Sequence, residues 1–198
     1  MRLFVALALE EEIRRGVARF IEDLQGFAPH ARWVKAESLH VTLKFIGEVA
    51  EARVKDIQAA LEATSAPEIG LSFRECGFFP AAKAARVFWI GIESATLAQL
   101  ACRVEERLIP LGVPKEKRAY SPHLTLARAP GGSGAPGWRK GDRNNRVFAK
   151  LQERIARSPA PGFGSMTARE FFLYRSELGR GGARYTKIAN FALHAAGE

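Results

Sequence analysis

Cysteine is nearly absent from this chain. Only Cys76 and Cys102 occur in 198 residues, far apart and without a CxxC spacing. A disulfide framework and a thiolate zinc site are therefore excluded, and the cysteine usage fits a reducing, cytoplasmic compartment. Long apolar runs are missing too, since nothing approaches the ~18 consecutive apolar residues of a spanning helix. The run Leu3–Leu9 superficially resembles the core of a signal peptide. It is at the short limit, its small-residue triplet Ala6-Leu7-Ala8 lies inside the apolar stretch, and Glu10-Glu11-Glu12 follow at once; it reads instead as a buried first strand. Acidic residues are also in deficit, 21 against 30 Lys and Arg, for a formal net charge of +9. With 47% hydrophobic and 10% aromatic residues, the chain has the material for a substantial core, which excludes wholesale disorder.

The positive charge is concentrated. Between Lys115 and Arg157 stand eleven basic residues and three acidic ones, so this segment carries +8 of the +9. Such a concentration points to an anionic partner, nucleic acid ahead of membrane because no basic amphipathic anchor accompanies it. On charge alone, a merely solvated surface is the simpler explanation.

Apolar periodicity divides the chain into halves of about 1–80 and 84–194. Strand-like Arg2–Leu9 is followed by a helical stripe over Glu10–Gln25 with acids in its first turn, where the helix dipole favours them. A short strand at His40–Ile46, a helix at about Glu51–Ala63 and a strand at Ile69–Phe79 complete the first half. The second half repeats the order with a strand at Arg86–Ile92, a helix at Ala95–Leu111, a short strand at His123–Ala127, a helix at Asn144–Arg157 and a strand at Met166–Tyr174. A Gly179–Gly182 turn and a final strand at Thr186–His194 follow. Phe4 precedes His40 by the same interval as Val87 precedes His123. After the histidines the halves diverge, chiefly through Ala129–Arg146, a Gly/Pro/Arg-rich stretch that reads as an inserted loop.

The repeat gains chemical support from His40-Val41-Thr42-Leu43 and His123-Leu124-Thr125-Leu126. Residues two apart on a strand share a face. Each tetrapeptide thus turns His and Thr to one side and two aliphatics to the other, where they can anchor the strand in the core. Two histidines and two hydroxyls facing one cleft suit phosphoryl chemistry without metal. A neutral imidazole takes a proton from the nucleophile and an imidazolium gives one to the leaving oxygen. The threonine hydroxyls donate to the non-bridging oxygens. One copy would most simply be a packed histidine; two copies at matching places in matching halves are much harder to obtain by chance. A metal site fits less well, because neither tetrapeptide contains an acid or further histidine to complete three or four ligands. His30 and His194 read as surface residues.

With these motifs the sequence resembles the 2H phosphoesterases, and more specifically their bacterial and archaeal RNA 2′,3′-cyclic phosphodiesterases, also called 2′-5′ RNA ligases. The likeness also takes in LHVTLKFIG at Leu39–Gly47, GFFP at Gly77–Pro80, RVFWIGI at Arg86–Ile92, SPHLTLAR at Ser121–Arg128 and FFLYRSELGRGGARYT at Phe171–Thr186. It implies an α+β fold in a single bilobal domain over 1–198, with two pseudo-symmetric lobes of antiparallel sheet around a central groove. It further implies opening of a terminal 2′,3′-cyclic phosphate to a 2′-phosphomonoester, and reversible ATP-independent 2′-5′ joining of RNA ends. His40 and His123 are then the acid/base pair, in an order the sequence leaves open, and Thr42 and Thr125 bind phosphate. No cofactor, membrane or obligate protein partner is implied; the expected state is a cytoplasmic monomer acting on RNA with 2′,3′-cyclic phosphate or 2′-5′-linked ends.

Other residues follow from strand parity. Arg128, five after His123, falls on the wrong face under strict alternation and contributes to phosphate binding only if the strand ends or twists before it. Lys44 shares parity with His40 and Thr42 and is expected at the groove rim, as a phosphate ligand or a solvated charge. Tyr120, Phe78, Phe79 and Trp33 are candidates to stack a base, although core packing is the commoner fate of an aromatic. Gly179–Gly182 reads as a hairpin turn rather than a phosphate cradle, because strands flank it. Two alternatives stay open: a phosphodiesterase for a small cyclic nucleotide or ADP-ribose cyclic phosphate, and a non-catalytic RNA-binding module. If the basic insert is a track for RNA, neutralising Arg139, Lys140, Arg143 and Arg146 together lowers turnover of a long RNA more than that of a cyclic mononucleotide. Parallel kinetics on the two substrates check this, and equal losses would return the charge to a solvated surface.

Overall fold

The structure is a computed structural model in which residues 1–130, 146–179 and 182–195 are described. The greater part of the basic insert, including Arg139, Lys140 and Arg143, lies outside the described residues, as do Arg180 and Gly181 in the Gly179–Gly182 turn.

The chain runs β1 (Arg2–Ala8), α1 (Glu11–Leu24), β2 (Arg32–Trp33), β3 (His40–Glu48), α2 (Val54–Glu62), β4 (Ile69–Phe79), β5 (Val87–Glu93), α3 (Leu97–Leu108), β6 (His123–Arg128), α4 (Ala149–Ala156), β7 (Gly162–Ala168), β8 (Glu170–Gly179) and β9 (Gly182–Ala192). The Leu3–Leu9 run thus opens as a strand, with Leu3 to Leu7 all buried. The expected strand at Met166–Tyr174 is two strands broken at Arg169, and the expected helix from Asn144 is described only over Ala149–Ala156. Gly179 and Gly182 pair at the end of the β8–β9 hairpin, consistent with a turn between strands.

The strands form two antiparallel sheets in an α+β fold, ordered β3-β1-β8-β9 and β2-β6-β5-β4-β7. Neither sheet is made from one half of the sequence. In the first, β8 from the C-terminal half pairs with β1; in the second, β4 from the N-terminal half pairs with β5. The orders correspond strand for strand, with β3-β1-β8-β9 matching β6-β5-β4-β7, so the internal repeat survives as an exchange of strands.

The helices supply the apolar stripes read from their periodicity. Ile13, Val17, Ile21 and Leu24 are buried on α1, and Leu97, Leu100, Ala101, Val104 and Leu108 on α3, where the Ser94 hydroxyl accepts the Leu97 N–H at 3.2 Å. They pack with the inward sides of both sheets in one core cluster that includes Val5, Leu7, Val41, Leu43, Ile90, Leu124 and Leu126. Burial of each large aliphatic contributes roughly 1.5–3 kcal/mol. A second, smaller cluster of Phe4, Ala6, Phe172 and Tyr174 lies on the other face of the first sheet. That face also carries His40.

Candidate active site

The register shows how the histidines are presented. On β1, Ala8 opposes His40 and Ala6 opposes Thr42; on β5, Gly91 opposes His123 and Trp89 opposes Thr125. Small residues therefore stand opposite both imidazoles. At Gly91 the restriction is steric, since a Cβ there would lie 2.9 Å from the Arg74 carbonyl oxygen. Val41, Leu43, Leu124 and Leu126 are buried, whereas both histidines and both threonines are half-buried. The alternation expected of the two tetrapeptides is thus the alternation observed.

Beyond each threonine the alternation breaks. A bulge at Leu43 makes Thr42 and Lys44 successive partners of Ala6 and Val5, and one at Leu126 makes Thr125 and Ala127 successive partners of Trp89 and Phe88. An extra residue in one strand reverses the facing of everything after it. Two parity expectations change as a result. Lys44 turns inward, only 2% exposed, with Nζ donating to Glu105 Oε1 at 2.5 Å and the Pro114 carbonyl at 2.8 Å. It is not at the groove rim, and its ammonium is committed to a buried ion pair. Arg128 turns the other way and joins the face of His123 and Thr125, beside Arg32, its partner on β2. Burial draws the Arg128 guanidinium below its usual pKa, opposed by Tyr185 and aided by Arg32.

The two histidines are held alike. His40 Nδ1 lies 2.7 Å from the Ser38 carbonyl oxygen and His123 Nδ1 lies 2.8 Å from that of Ser121. A carbonyl can only accept, so each Nδ1 carries hydrogen and each Nε2 is left as the nitrogen that exchanges protons. The strands that carry them touch, and Tyr120 donates its hydroxyl to the Thr42 carbonyl at 2.8 Å, tying the segment before His123 to the strand of His40.

Their surroundings favour neutral imidazole. His40 packs against Phe4, Tyr185 and Tyr174, with ring centroids 4.8, 5.1 and 6.2 Å away. Burial pushes its pKa down to about 4, against the Ser38 hydrogen bond and with help from the charges of Arg128 and His123. Burial lowers His123 as well, again opposed by its serine carbonyl and aided by Arg128. The charges of Arg128 and of His123 thus reach His40, which places the two histidines in one neighbourhood.

Of the aromatic candidates, Phe79 meets His123 edge-on at 5.1 Å. Trp33 donates its indole N–H to the Ala28 carbonyl and packs on Phe88, Phe78 packs between Phe88 and Phe148, and the Tyr120 hydroxyl is taken by Thr42. These three are half-buried and pack against the core. His30 and His194 are exposed. Among the described residues no group of three or more His, Cys, Asp or Glu side chains is placed to hold a metal, and no helix is long and apolar enough to cross a membrane. Arg32 was not indicated by sequence, because its place depends on the pairing of two-residue β2 with β6.

Two antiparallel sheets, each carrying a His-x-Thr strand, with those two strands in contact, define a two-histidine phosphoesterase. Residues 7–89 match the LigT-like phosphoesterase family. The RNA 2′,3′-cyclic phosphodiesterase of Methanocaldococcus jannaschii is 34% identical over 188 residues, 95% of this chain and 98% of that protein. That of Methanothermobacter thermautotrophicus is 33% identical, over 98% of this chain and 99% of its own. The crystal structure of Escherichia coli LigT complexed with 3′-AMP superposes with a TM-score of 0.74 at 30% identity, over 97% of each chain. The chain belongs to the LigT-like phosphoesterases of the 2H superfamily.

Proposed function

We propose that this enzyme opens the terminal 2′,3′-cyclic phosphate of RNA, using His40 and His123 as general base and general acid in either order. The observation that carries the proposal is the matched pair of Nδ1–carbonyl hydrogen bonds, which leaves two Nε2 atoms for proton transfer in one groove. One Nε2 takes a proton from water as its oxygen bonds to phosphorus. The other, protonated, gives its proton to O3′ as the P–O3′ bond breaks, leaving a 2′-phosphomonoester and a 3′-hydroxyl. Thr42, Thr125 and Arg128 hold the non-bridging oxygens, where charge accumulates in the transition state. A 5′-hydroxyl in place of water gives a 2′-5′ phosphodiester by the same bond exchange, without ATP.

The test offers the purified protein an oligoribonucleotide ending in 2′,3′-cyclic phosphate, with EDTA present, beside a cyclic mononucleotide. Ring opening to the 2′-phosphate supports the proposal. Binding without turnover would make the protein an RNA-binding module, turnover of the mononucleotide alone would make it a small-molecule phosphodiesterase, and EDTA inhibition reversed by zinc would overturn metal-free catalysis.

The lowered histidines also set a pH dependence. The active free enzyme carries one proton on the pair. It gains a second as pH falls toward about 4 and loses the first as pH rises through the higher of two values that burial holds below the ordinary 6.5. We therefore expect kcat/KM to be bell-shaped with its maximum below pH 6.5. The kcat maximum should lie at higher pH, because a bound anionic phosphate favours imidazolium. A kcat/KM maximum above pH 7.5 would contradict this.

A further inference from the structure

On the face of the first sheet that carries His40, a row of rings crosses the sheet and ends in a cation. The His40 ring lies 4.8 Å from Phe4, Phe4 stacks on Tyr174 at 5.1 Å, and Tyr174 meets Phe172 at 5.9 Å. Lys187 closes the row, its Nζ 3.5 Å above the Phe172 ring. The strand order explains the direction, since β3 and β9 are the edges of the sheet and β1 and β8 lie between them. Neighbouring strands are about 4.8 Å apart, so an ammonium over β8 stands roughly 10 Å from the strand of His40. Register keeps Lys187 on this face: it opposes Tyr174, and Tyr185, two residues earlier, opposes Ser176 and meets His40 edge-on at 5.1 Å.

The rings of the row are covered. Phe4, Phe172 and Tyr174 are 3%, 6% and 8% exposed, so they form a closed apolar floor and offer no free face to a further ring. Lys187 is exposed, and among the described residues it has no carboxylate partner. Glu170, the acid two residues before Phe172 on the same side of β8, accepts the Asn190 amide at 2.9 Å. Arg14, whose charge reaches Tyr174, is tied to Glu11 and the Leu9 carbonyl. A ring beneath an ammonium fixes its position and leaves its charge unneutralised. An incoming anion therefore meets a cation already held in place.

A 2′,3′-cyclic phosphate ends its chain, so the rest of an RNA leaves the histidines on the 5′ side, and each further nucleotide brings one phosphate monoanion. A cyclic mononucleotide brings none. We propose that Lys187 binds a phosphate of the RNA chain 5′ to the cyclic end and thereby favours an oligonucleotide over a cyclic mononucleotide. This deepens the ring-opening reading proposed above and rests on it.

The test compares wild type, Lys187→Gln and Lys187→Arg on a 2′,3′-cyclic mononucleotide and on an oligoribonucleotide ending in the same cyclic nucleotide. Both substrates are followed over a series of salt concentrations, with thermal melts to verify folding. At low salt Lys187→Gln should raise the oligonucleotide KM roughly fivefold, while Lys187→Arg keeps it near the wild-type value. Loss of one phosphate contact to a single strand should also flatten the slope of log KM against log salt by about 0.7. The oligonucleotide kcat and all kinetics on the mononucleotide should change less than about twofold. Equal effects on both substrates, an unmoved oligonucleotide KM or an unmoved salt slope overturn the role of Lys187 while leaving ring opening intact. A lysine that only shields the Phe172 ring would give the second of these, with a lowered Tm. Wild-type turnover of the mononucleotide alone, or of neither substrate, overturns the RNA reading and this one with it.

Discussion

Alanine at His40 or at His123 is expected to lower kcat for cyclic-phosphate opening by roughly 10²–10⁴-fold, with KM changed much less. The size follows from the chemistry. Water is a poor nucleophile without a base, and a ribose alkoxide is a poor leaving group without an acid, so removing either imidazole restores one of two barriers. The double variant is expected to fall well short of the product of the single losses, because an acid and a base that act in one step lose most of their value separately. Steady-state kinetics on a cyclic mononucleotide, with far-UV circular dichroism to verify folding, check both points. The substitutions should not unfold the protein, since each imidazole is half-buried and its one backbone bond is to a serine carbonyl that water can reach or replace. If either single variant kept more than a tenth of wild-type kcat while chemistry limited the rate, that histidine would not be in proton transfer.

How much of this site was legible before folding depended on distance along the chain. His40, Thr42, His123 and Thr125 share faces through alternation over three residues, a local property that the sequence displays directly. Lys44 and Arg128 were misdirected by the same rule, and for one reason: each lies just beyond an inserted residue, and a one-residue bulge reverses facing. Nothing in VTLKF or LTLAR marks Leu43 or Leu126 as the extra residue; the partner strand determines it. Because the error was identical in the two halves, the repeat concealed it. The exchange of β4 and β8 between sheets was hidden for a related reason. Both strands were recognisable by pattern, but their partners, β5 and β1, are chosen by tertiary packing.

Lys44 gives the largest stability effect we expect. Its Nζ and the Glu105 carboxylate are 2.5 Å apart, 2% and 13% exposed, and Glu105 also accepts the Glu116 N–H at 2.7 Å. Burial works to raise the Glu105 carboxyl, but Lys44 and the Glu116 amide outweigh it and hold its pKa below the usual value. Lys44→Met leaves that carboxylate buried without its cation, a change that typically costs about 3–5 kcal/mol. For a chain of this size that is a fall in Tm of roughly 6–20 °C. The loss must depend on pH. In the wild type the lowered carboxyl stabilises the fold above its unfolded pKa, and this contribution disappears as pH falls through the folded value. The deficit of Lys44→Met is therefore greatest at neutral pH and shrinks as acidification protonates Glu105. Adding Glu105→Leu should recover much of the neutral-pH loss, although the Glu116 N–H then lacks its acceptor. Urea denaturation of the two single variants and the double variant at pH 7 and pH 4 tests each step. A phosphate ligand at the groove rim would behave in the opposite way, raising KM on substitution while leaving Tm nearly unmoved. Because Lys44 also holds the Pro114 carbonyl, and Tyr120 holds Thr42 on the other side of the Leu43 bulge, the bulge that removes Lys44 from the groove is what lets the first histidine strand hold the segment leading to the second.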